Sequence, residues 1–390
     1  MDHDSTRALR LIVTGGGTGG HTYPALTAVR TLRARLAMSG RSLEVLWVGA
    51  ADSLESRVAA EEGIAFTSVA VGKIRRSSNP LKTASPANVR DMSRVPLGVL
   101  QARKVISRFA PDVVLATGGY VAVPVGVAAT RLCHKPLVVH EQTVRLGLAN
   151  KTLASAATGV AVSSESTLDL LPEPVRAAAV VTGNPVRPEV LSGQADKVVE
   201  ALGLTGFDRR LPTVYVTGGA QGSQQINELV ASLQPWLLER ANVIHQCGPD
   251  HVETLRRQAA SLPPALAARH HLTAYVGPEL PDVLALADVV ISRSGAGTIA
   301  ELTALGKASV LVPLATSAGN EQAHNAQHLE RAGAAFALVG EVTGDRLRDT
   351  VGPMLADPAR RTEMAARAKA HGRPDAAERL VDLLLSVAER

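Results

Sequence analysis

The sequence predicts an α/β protein made of two doubly wound halves, each a parallel sheet flanked by helices. Three observations lead there. Short apolar runs alternate with helix-like segments along both halves of the chain. The apolar run ending in Val13 passes into Thr14-Gly15-Gly16-Gly17-Thr18-Gly19-Gly20, and the run ending in Val216 passes into Thr217-Gly218-Gly219-Ala220-Gln221-Gly222-Ser223. At 390 residues the chain exceeds one ordinary core, so two domains are expected.

In the first half, Leu9–Val13, Glu44–Val48, Val113–Ala116, Leu137–His140 and Gly159–Val162 read as buried strands. Pro24–Leu36 and Val99–Arg108 read as helices between them. Gly183-Asn184-Pro185-Val186-Arg187-Pro188 reads as a junction, because two prolines and a glycine in six residues forbid regular structure. The second half repeats the alternation, with strands at Thr213–Val216, Val243–Gln246, His271–Val276, Val289–Ser292 and Ala308–Val312. Its helices are expected at Gln224–Leu238, Thr298–Leu305 and Glu321–Ala332, and Pro374–Glu389 reads as a final amphipathic helix. The expected limits are residues 1–183, 184–370 and 371–390.

Composition narrows the function. Aromatic residues make up 3% of the chain, too few for a reader of nucleic acid that works by stacking. Cys133 and Cys247 are the two cysteines, so neither a disulfide framework nor a cysteine zinc site is expected. No stretch reads as a signal peptide or as a run of about 18 apolar residues, which makes the cytoplasm the expected compartment. The net charge of +5 is concentrated: between Gly72 and Arg108 stand nine basic residues, among them Lys73, Arg75, Arg76 and Lys82, and one acid, Asp91. Interleaved apolar residues include Leu97 and Leu100. The run reads either as a solvated surface or as a patch that docks on anionic lipid, where each nearby cation contributes about 1 kcal/mol.

The motifs sit at the expected strand ends. A strand, a glycine turn and a helix N-terminus converge backbone N–H groups on one point, which suits phosphate. Gly15–Gly20 formally matches the dinucleotide fingerprint, but the second strand ends in Gly49-Ala50-Ala51 and Asp52 comes late for a ribose-binding acid. A nicotinamide enzyme is therefore disfavoured, and no P-loop pattern exists. His21 follows the turn directly, where an imidazole that titrates near neutrality can take a proton from a hydroxyl. His140 and Glu141 end another strand and could orient or supplement it, although a structural bond from His140 to a carbonyl fits equally. Ser292-Arg293-Ser294-Gly295-Ala296-Gly297-Thr298 opens a helix suited to a diphosphate, and Glu301 one turn later suits the hydroxyls of a ribose. A capping box from Thr298 to Glu301 is the structural alternative. Gly319-Asn320-Glu321-Gln322 opens another helix whose polar groups could read a sugar.

These residues resemble the MurG glycosyltransferase family, which moves N-acetylglucosamine from UDP-GlcNAc to undecaprenyl-pyrophosphoryl-muramoyl-pentapeptide (lipid I), giving lipid II. Six motifs in the family's order carry the resemblance: Gly16–His21, Gly118–Val121, His140–Gln142, Gly147–Asn150, Gly183–Arg187 and Arg293–Ala296. The resemblance implies a GT-B fold, two Rossmann-like domains with an interdomain cleft and a C-terminal helix returning to the first. It also implies an inverting transfer to the acceptor's 4-hydroxyl, with His21 and Glu141 as catalytic residues. Tyr275 and Val276 would meet the uracil and Glu301 the ribose. Arg187, the turn Gly218, Gly219, Ala220, Gln221 and Gly222, and the helix start Ala296, Gly297, Thr298, Ile299 and Ala300 would hold the diphosphate. Gln322 would meet the sugar, and Thr18, Gly19, Gly20 and Thr143 would complete the donor site from the first domain. The implied partners are UDP-GlcNAc, lipid I, an anionic membrane surface at the cytoplasmic face and other cell-wall synthesis proteins, with no nucleic acid. No metal is required by such a fold; Mg²⁺ dependence is not legible.

Three departures stand out. Thr143 follows His-Glu-Gln where the family usually has Asn, Ala220 and Ser223 exchange the small residues of the usual Gly-Gly-Ser-x-Gly-Ala turn, and Glu321 stands where many members carry Gln or His. They leave open a diverged relative acting on another lipid-linked or secondary-metabolite acceptor. A UDP-sugar epimerase on the same architecture is a further alternative.

Overall fold

A computed structural model describes residues 7–72 and 86–390 of the chain. The chain divides into two compact units, one of Met1–Pro185 with Asp375–Arg390, the other of Val186–Pro374. Both boundaries fall slightly later than the limits read from sequence, each directly after a proline.

The first unit is a seven-stranded sheet whose paired strands all run parallel. Its strands are β1 (Leu9–Thr14), β2 (Leu43–Gly49), β3 (Ala65–Ser68), β4 (Val113–Ala116), β5 (Leu137–Glu141), β6 (Gly159–Val162) and β7 (Val180–Val181). The order is β3-β2-β1-β4-β5-β6-β7. β1, β4, β5 and β6 are almost wholly buried, which is why they read as continuous apolar runs. Two strands were not expected from the sequence. β3 is only partly buried and carries Thr67 and Ser68, and β7 is two residues long, so neither shows an apolar signal. The helix Ala376–Ala388 buries Leu380, Val381, Leu384 and Val387 in the core of this unit, together with Leu32 and Leu36 of helix Gly19–Met38.

The second unit is a six-stranded parallel sheet of order β10-β9-β8-β11-β12-β13. Its strands are β8 (Thr213–Thr217), β9 (Asn242–Gln246), β10 (His270–Thr273), β11 (Val289–Ser292), β12 (Ala308–Leu311) and β13 (Phe336–Ala337). β10 stops at Thr273 rather than running to Val276, because the Val276 N–H turns to the Gln246 side chain at 2.9 Å. The single helix expected over Gln224–Leu238 is two, Gln224–Ser232 and Gln234–Leu238, broken just before Pro235, which has no N–H to continue the ladder.

Each sheet buries one histidine at or near the C-terminal end of a strand. His140 on β5 is fully enclosed with Nε2 2.9 Å from the Gly183 carbonyl, and burial pushes it down to about 4. His245 on β9 lies 3.0 Å from Asn227 Oδ1, and burial pushes it down to about 3. Both fold neutral, so between their folded values and the ordinary 6.5 the unfolded chain binds more protons. Stability from this source is complete above pH 6.5 and is lost as pH falls towards 4 and then 3. The ceiling is about 3 kcal/mol for His140 and about 5 kcal/mol for His245. Urea unfolding across pH 7.5 to 4 should show the midpoint falling below about pH 6.5. His245→Asn should flatten part of that slope.

Candidate active site

In both sheets the chain starts centrally, builds to one edge, and returns to the other side of its first strand. The order therefore reverses between β1 and β4, and again between β8 and β11, and ligand crevices form at the C-terminal ends of such strands. Gly15–Gly20, Gly118–Val121, His140–Gln142, Gly218–Gly222, Arg293–Ala296 and Gly319–Gln322 follow strands at or beside these points, whereas Gly183–Arg187 and Tyr275–Val276 follow the edge strands β7 and β10.

In the first unit the loop after β1 packs backbone to backbone on Thr117–Tyr120 after β4. Gly16 N–H donates to Gly118 O at 3.3 Å, and a Cβ on Gly119 (φ +80°) would lie 2.3 Å from Gly16 O. A Cβ on Gly118 would press on the His21 ring at 3.1 Å. Thr117 Oγ1 donates to His21 O at 2.9 Å, so the start of helix Gly19–Met38 is tied to the end of β4. Thr18 is the N-cap in extended backbone, and its carbonyl accepts from the N–H groups of His21 and Thr22.

His21, half-buried, places Nδ1 3.0 Å from Gln142 Oε1. The Gln142 amide nitrogen in turn lies 3.0 Å from His140 Nδ1 and donates to His140 O at 2.8 Å. Glu141, expected as a catalytic partner of His21, has a different task. Its Oε1 accepts from Thr143 N and Thr143 Oγ1, and its Oε2 accepts from Gly147 N and Asn150 Nδ2 at 2.8 and 2.9 Å. Four donors fill the lone-pair directions of one buried carboxylate, which pins the loop from β5 to helix Leu148–Ala154. Thr143 is buried and turned into that loop, so its hydroxyl does not present itself to a sugar.

The first glycine loop already holds an anion. Glu55, buried on helix Leu54–Glu61, accepts from Gly17 N–H and Ala50 N–H, both at 3.2 Å, and a Cβ on Gly16 would strike its carboxylate at 2.2 Å.

The loop after β8 is built differently. Gly219 (φ +90°) and Gly222 (φ +74°) need the left-handed region, and a Cβ on Gly222 would lie 1.8 Å from Cys247 O. Gly219, Ala220 and Gln221 are exposed at its tip. Beside it opens a cavity of about 650 Å³ lined by Gly218, Gly219, Ser223, Arg293, Thr298 and Gln322, among others. Helix Ala296–Leu305 points its N-terminus there, with Gly295 as N-cap and no side-chain cap, so the capping box from Thr298 to Glu301 does not form. The N–H groups of Ala296, Gly297 and Thr298 precede the first intrahelical bond, Ile299 N–H to Gly295 O at 3.0 Å. Ile299 and Ala300 lie behind that opening, packed on the apolar core.

Arg293 enters this site without having been singled out as a binding residue. Nη1 donates to Gln225 Oε1, Val312 O and Pro313 O at 2.8 to 3.0 Å, and Nη2 to Ser223 Oγ at 2.6 Å. Its described partners are neutral, so a positive charge stands beside the cavity uncancelled by them. Ser223 also caps helix Gln224–Ser232, which gives the exchanged hydroxyl of this loop a structural use. Arg187, expected on the diphosphate, donates twice to Glu301 Oε1, at 3.0 and 2.7 Å. Glu301 Oε2 has no hydrogen bond among the described residues. Burial raises the Glu301 carboxyl while Arg187 opposes the shift. Gln322 Oε1 accepts from Leu314 N, leaving its amide nitrogen for a ligand. Tyr275 is exposed, whereas Val276 is buried with its N–H already bound to Gln246. Gln246, also missed from the sequence, accepts from Tyr215 Oη and donates to Gly219 O, tying β8, β9 and the glycine turn together.

Comparison with known proteins adds the chemistry. The model of the glycosyltransferase family 28 N-terminal domain matches residues 11–162, and that of the family 28 C-terminal domain matches residues 213–380. A relative from Listeria monocytogenes is 35% identical over 384 residues, covering 97% of this chain and 99% of its own. It is named UDP-N-acetylglucosamine--N-acetylmuramyl-(pentapeptide) pyrophosphoryl-undecaprenol N-acetylglucosamine transferase. The crystal structure of Acinetobacter baumannii MurG superposes with a TM-score of 0.73 at 28% identity, over 97% of this chain and 99% of that one. A UDP-GlcNAc 2-epimerase from Neisseria meningitidis, 16% identical with a TM-score of 0.64 over 97% and 99% of the two chains, shares the fold.

The geometry at Gly222 yields a direct expectation. Gly222→Ala forces a methyl against Cys247 O in a backbone region that disfavours Cβ. Affinity for a nucleoside diphosphate, measured by calorimetry, should fall at least about tenfold, since the loop must shift by a bond length. Gly203→Ala, with positive φ but open space around it, serves as the control.

Proposed function

The chain belongs to the MurG family of glycosyltransferases, and on that footing we propose how its residues divide the reaction. The enzyme transfers N-acetylglucosamine from UDP-GlcNAc to lipid I, giving lipid II. The second unit holds the donor. The open N–H groups at Ala296–Thr298, the Gly218–Gly222 turn and the Arg293 charge receive the diphosphate, and Glu301 Oε2 receives the ribose hydroxyls. Arg187 holds Glu301 in place rather than the phosphates. Gln322 offers its amide nitrogen to the sugar.

The first unit supplies the base. The acceptor's 4-hydroxyl oxygen attacks the anomeric carbon on the face opposite UDP, its proton passes to His21, and the bond to the β-phosphate oxygen breaks with its electron pair leaving on UDP. Inversion follows from that in-line displacement. The observation that carries this reading is the position of His21, a half-buried imidazole at the strand-order reversal, gripped through its backbone by Thr117 and through its ring by Gln142.

His21→Ala should lower turnover about 10²–10⁴-fold, the range for loss of a general base, with little change in donor KM. Glu301→Ala should chiefly raise donor KM. Transfer of labelled N-acetylglucosamine to a short-chain lipid I analogue measures both, and wild-type turnover by His21→Ala would remove it as the base.

We further place the enzyme at the anionic cytoplasmic face of the membrane, docked through its first unit. Leu97 and Leu100 are 52% and 60% exposed on helix Pro86–Phe109, with Arg94, Arg103, Lys104 and Arg108 exposed on the same helix. Lys73, Arg75, Arg76 and Lys82, the rest of the expected patch, lie outside the described residues. Among the described residues no helix is long and apolar enough to cross a membrane. Replacing Leu97 and Leu100 together by Asp should reduce co-sedimentation with anionic vesicles and leave UDP binding intact. Undiminished sedimentation would sink the docking assignment.

A further inference from the structure

The hydrogen bonds behind His21 form a chain in which each donor fixes the next. It begins at the Gly183 carbonyl, 2.9 Å from His140 Nε2. A carbonyl oxygen only accepts, so Nε2 of His140 carries hydrogen. His140 is fully enclosed and burial keeps it neutral, so its other nitrogen, Nδ1, is a bare acceptor. The group facing Nδ1 at 3.0 Å must donate, and it is the Gln142 amide nitrogen. That orientation is fixed a second time by the bond from the same nitrogen to His140 O at 2.8 Å. The other end of the amide, Oε1, must then face His21, where it lies 3.0 Å from Nδ1. Oε1 only accepts, so Nδ1 of His21 carries hydrogen and the lone pair of the neutral ring is on Nε2.

We propose that His140 and Gln142 are positioning residues that set the tautomer of His21, leaving Nε2 as the proton-accepting atom. This rests on the reading of His21 as the base. Three features serve the same end. Gly118 leaves space for the ring, since a Cβ there would stand 3.1 Å from His21 Cε1 and Nδ1 and crowd it. Asn150 Nδ2 donates to His140 O, holding the carbonyl that orients Gln142. Glu141, between the two relay members in sequence, anchors Asn150 through the same amide nitrogen. A free neutral imidazole prefers its hydrogen on Nε2, so the relay works against the intrinsic preference of the base. When Nε2 takes the proton, the ring becomes a cation whose Nδ1–H already points at a carbonyl dipole, and no group has to turn over.

The test reads the tautomer directly. Protein labelled with ¹⁵N-histidine is examined by NMR at about pH 8, where an ordinary imidazole is neutral, with the His21 signals assigned by their loss in His21→Gln. The Nδ1–H form is expected in the wild type, and a ring with hydrogen on Nε2 overturns the proposal without any variant being needed. Gln142→Met keeps the length of the side chain and removes both amide ends. It should shift the ring towards Nε2–H and lower turnover at least tenfold, with donor KM and UDP affinity unchanged as proof of a folded second unit. Unchanged turnover in Gln142→Met beside an inactive His21→Ala would leave His21 as base and remove the relay. An active His21→Ala would instead remove the base reading on which the relay rests.

Discussion

Both units depend on backbone passing against backbone beyond the C-terminal ends of their first strands, β1 and β8. At Gly119 the separation from Gly16 O, and at Gly222 the separation from Cys247 O, leave no room for even a methyl group. Only chains without Cβ at these points let two loops close on one another, and only closed loops bring their N–H groups and neighbouring side chains to the strand ends. The grip of Thr117 on the His21 carbonyl lies beside the first contact, and Gly222 itself lines the cavity beside Arg293.

From this common frame the two units go different electrostatic ways. The first is organised by bonds between neutral groups around a buried histidine and by Glu141, whose four donors immobilise a loop. Such networks rigidify when complete and are costly when broken. The second keeps a guanidinium bonded to carbonyls, an amide and a hydroxyl, next to a helix start whose N–H groups await an acceptor. The proposed proton acceptor thus stands in the first setting and the proposed diphosphate site in the second.

Much of the fold was legible because parallel strands buried on both faces are continuous apolar runs. Val113–Ala116, Gly159–Val162 and Val289–Ser292 match their strands residue for residue. What escaped includes the short or half-exposed strands β3, β7 and β13, the helices Gly344–Ala356 and Pro358–His371, and the first turns of helix Gly19–Met38, hidden because glycine and threonine open it. At the site, glycines and the charged Glu301 announced themselves by type and spacing. Gln142, Gln246 and Ser223 did not, because an amide or hydroxyl acquires its role only from partners distant in sequence, such as His21 or Arg293. Arg187 shows the opposite case, a cation whose type suggests phosphate and whose nearest partner is a carboxylate in the same unit.

The Glu55 carboxylate lodged against Gly17 carries one more consequence. Two loops with nearly the same spelling differ in sign at their mouths: an incoming anion meets a positive pole after β8 and a resident negative charge after β1. A third-party side chain, thirty-eight positions away, has turned a general-purpose anion cradle into a rigid mount for a helix. Spelling alone would count two like cradles; among the described residues the Glu55 carboxylate occupies the first, and the N–H groups beside the second are left to an incoming anion.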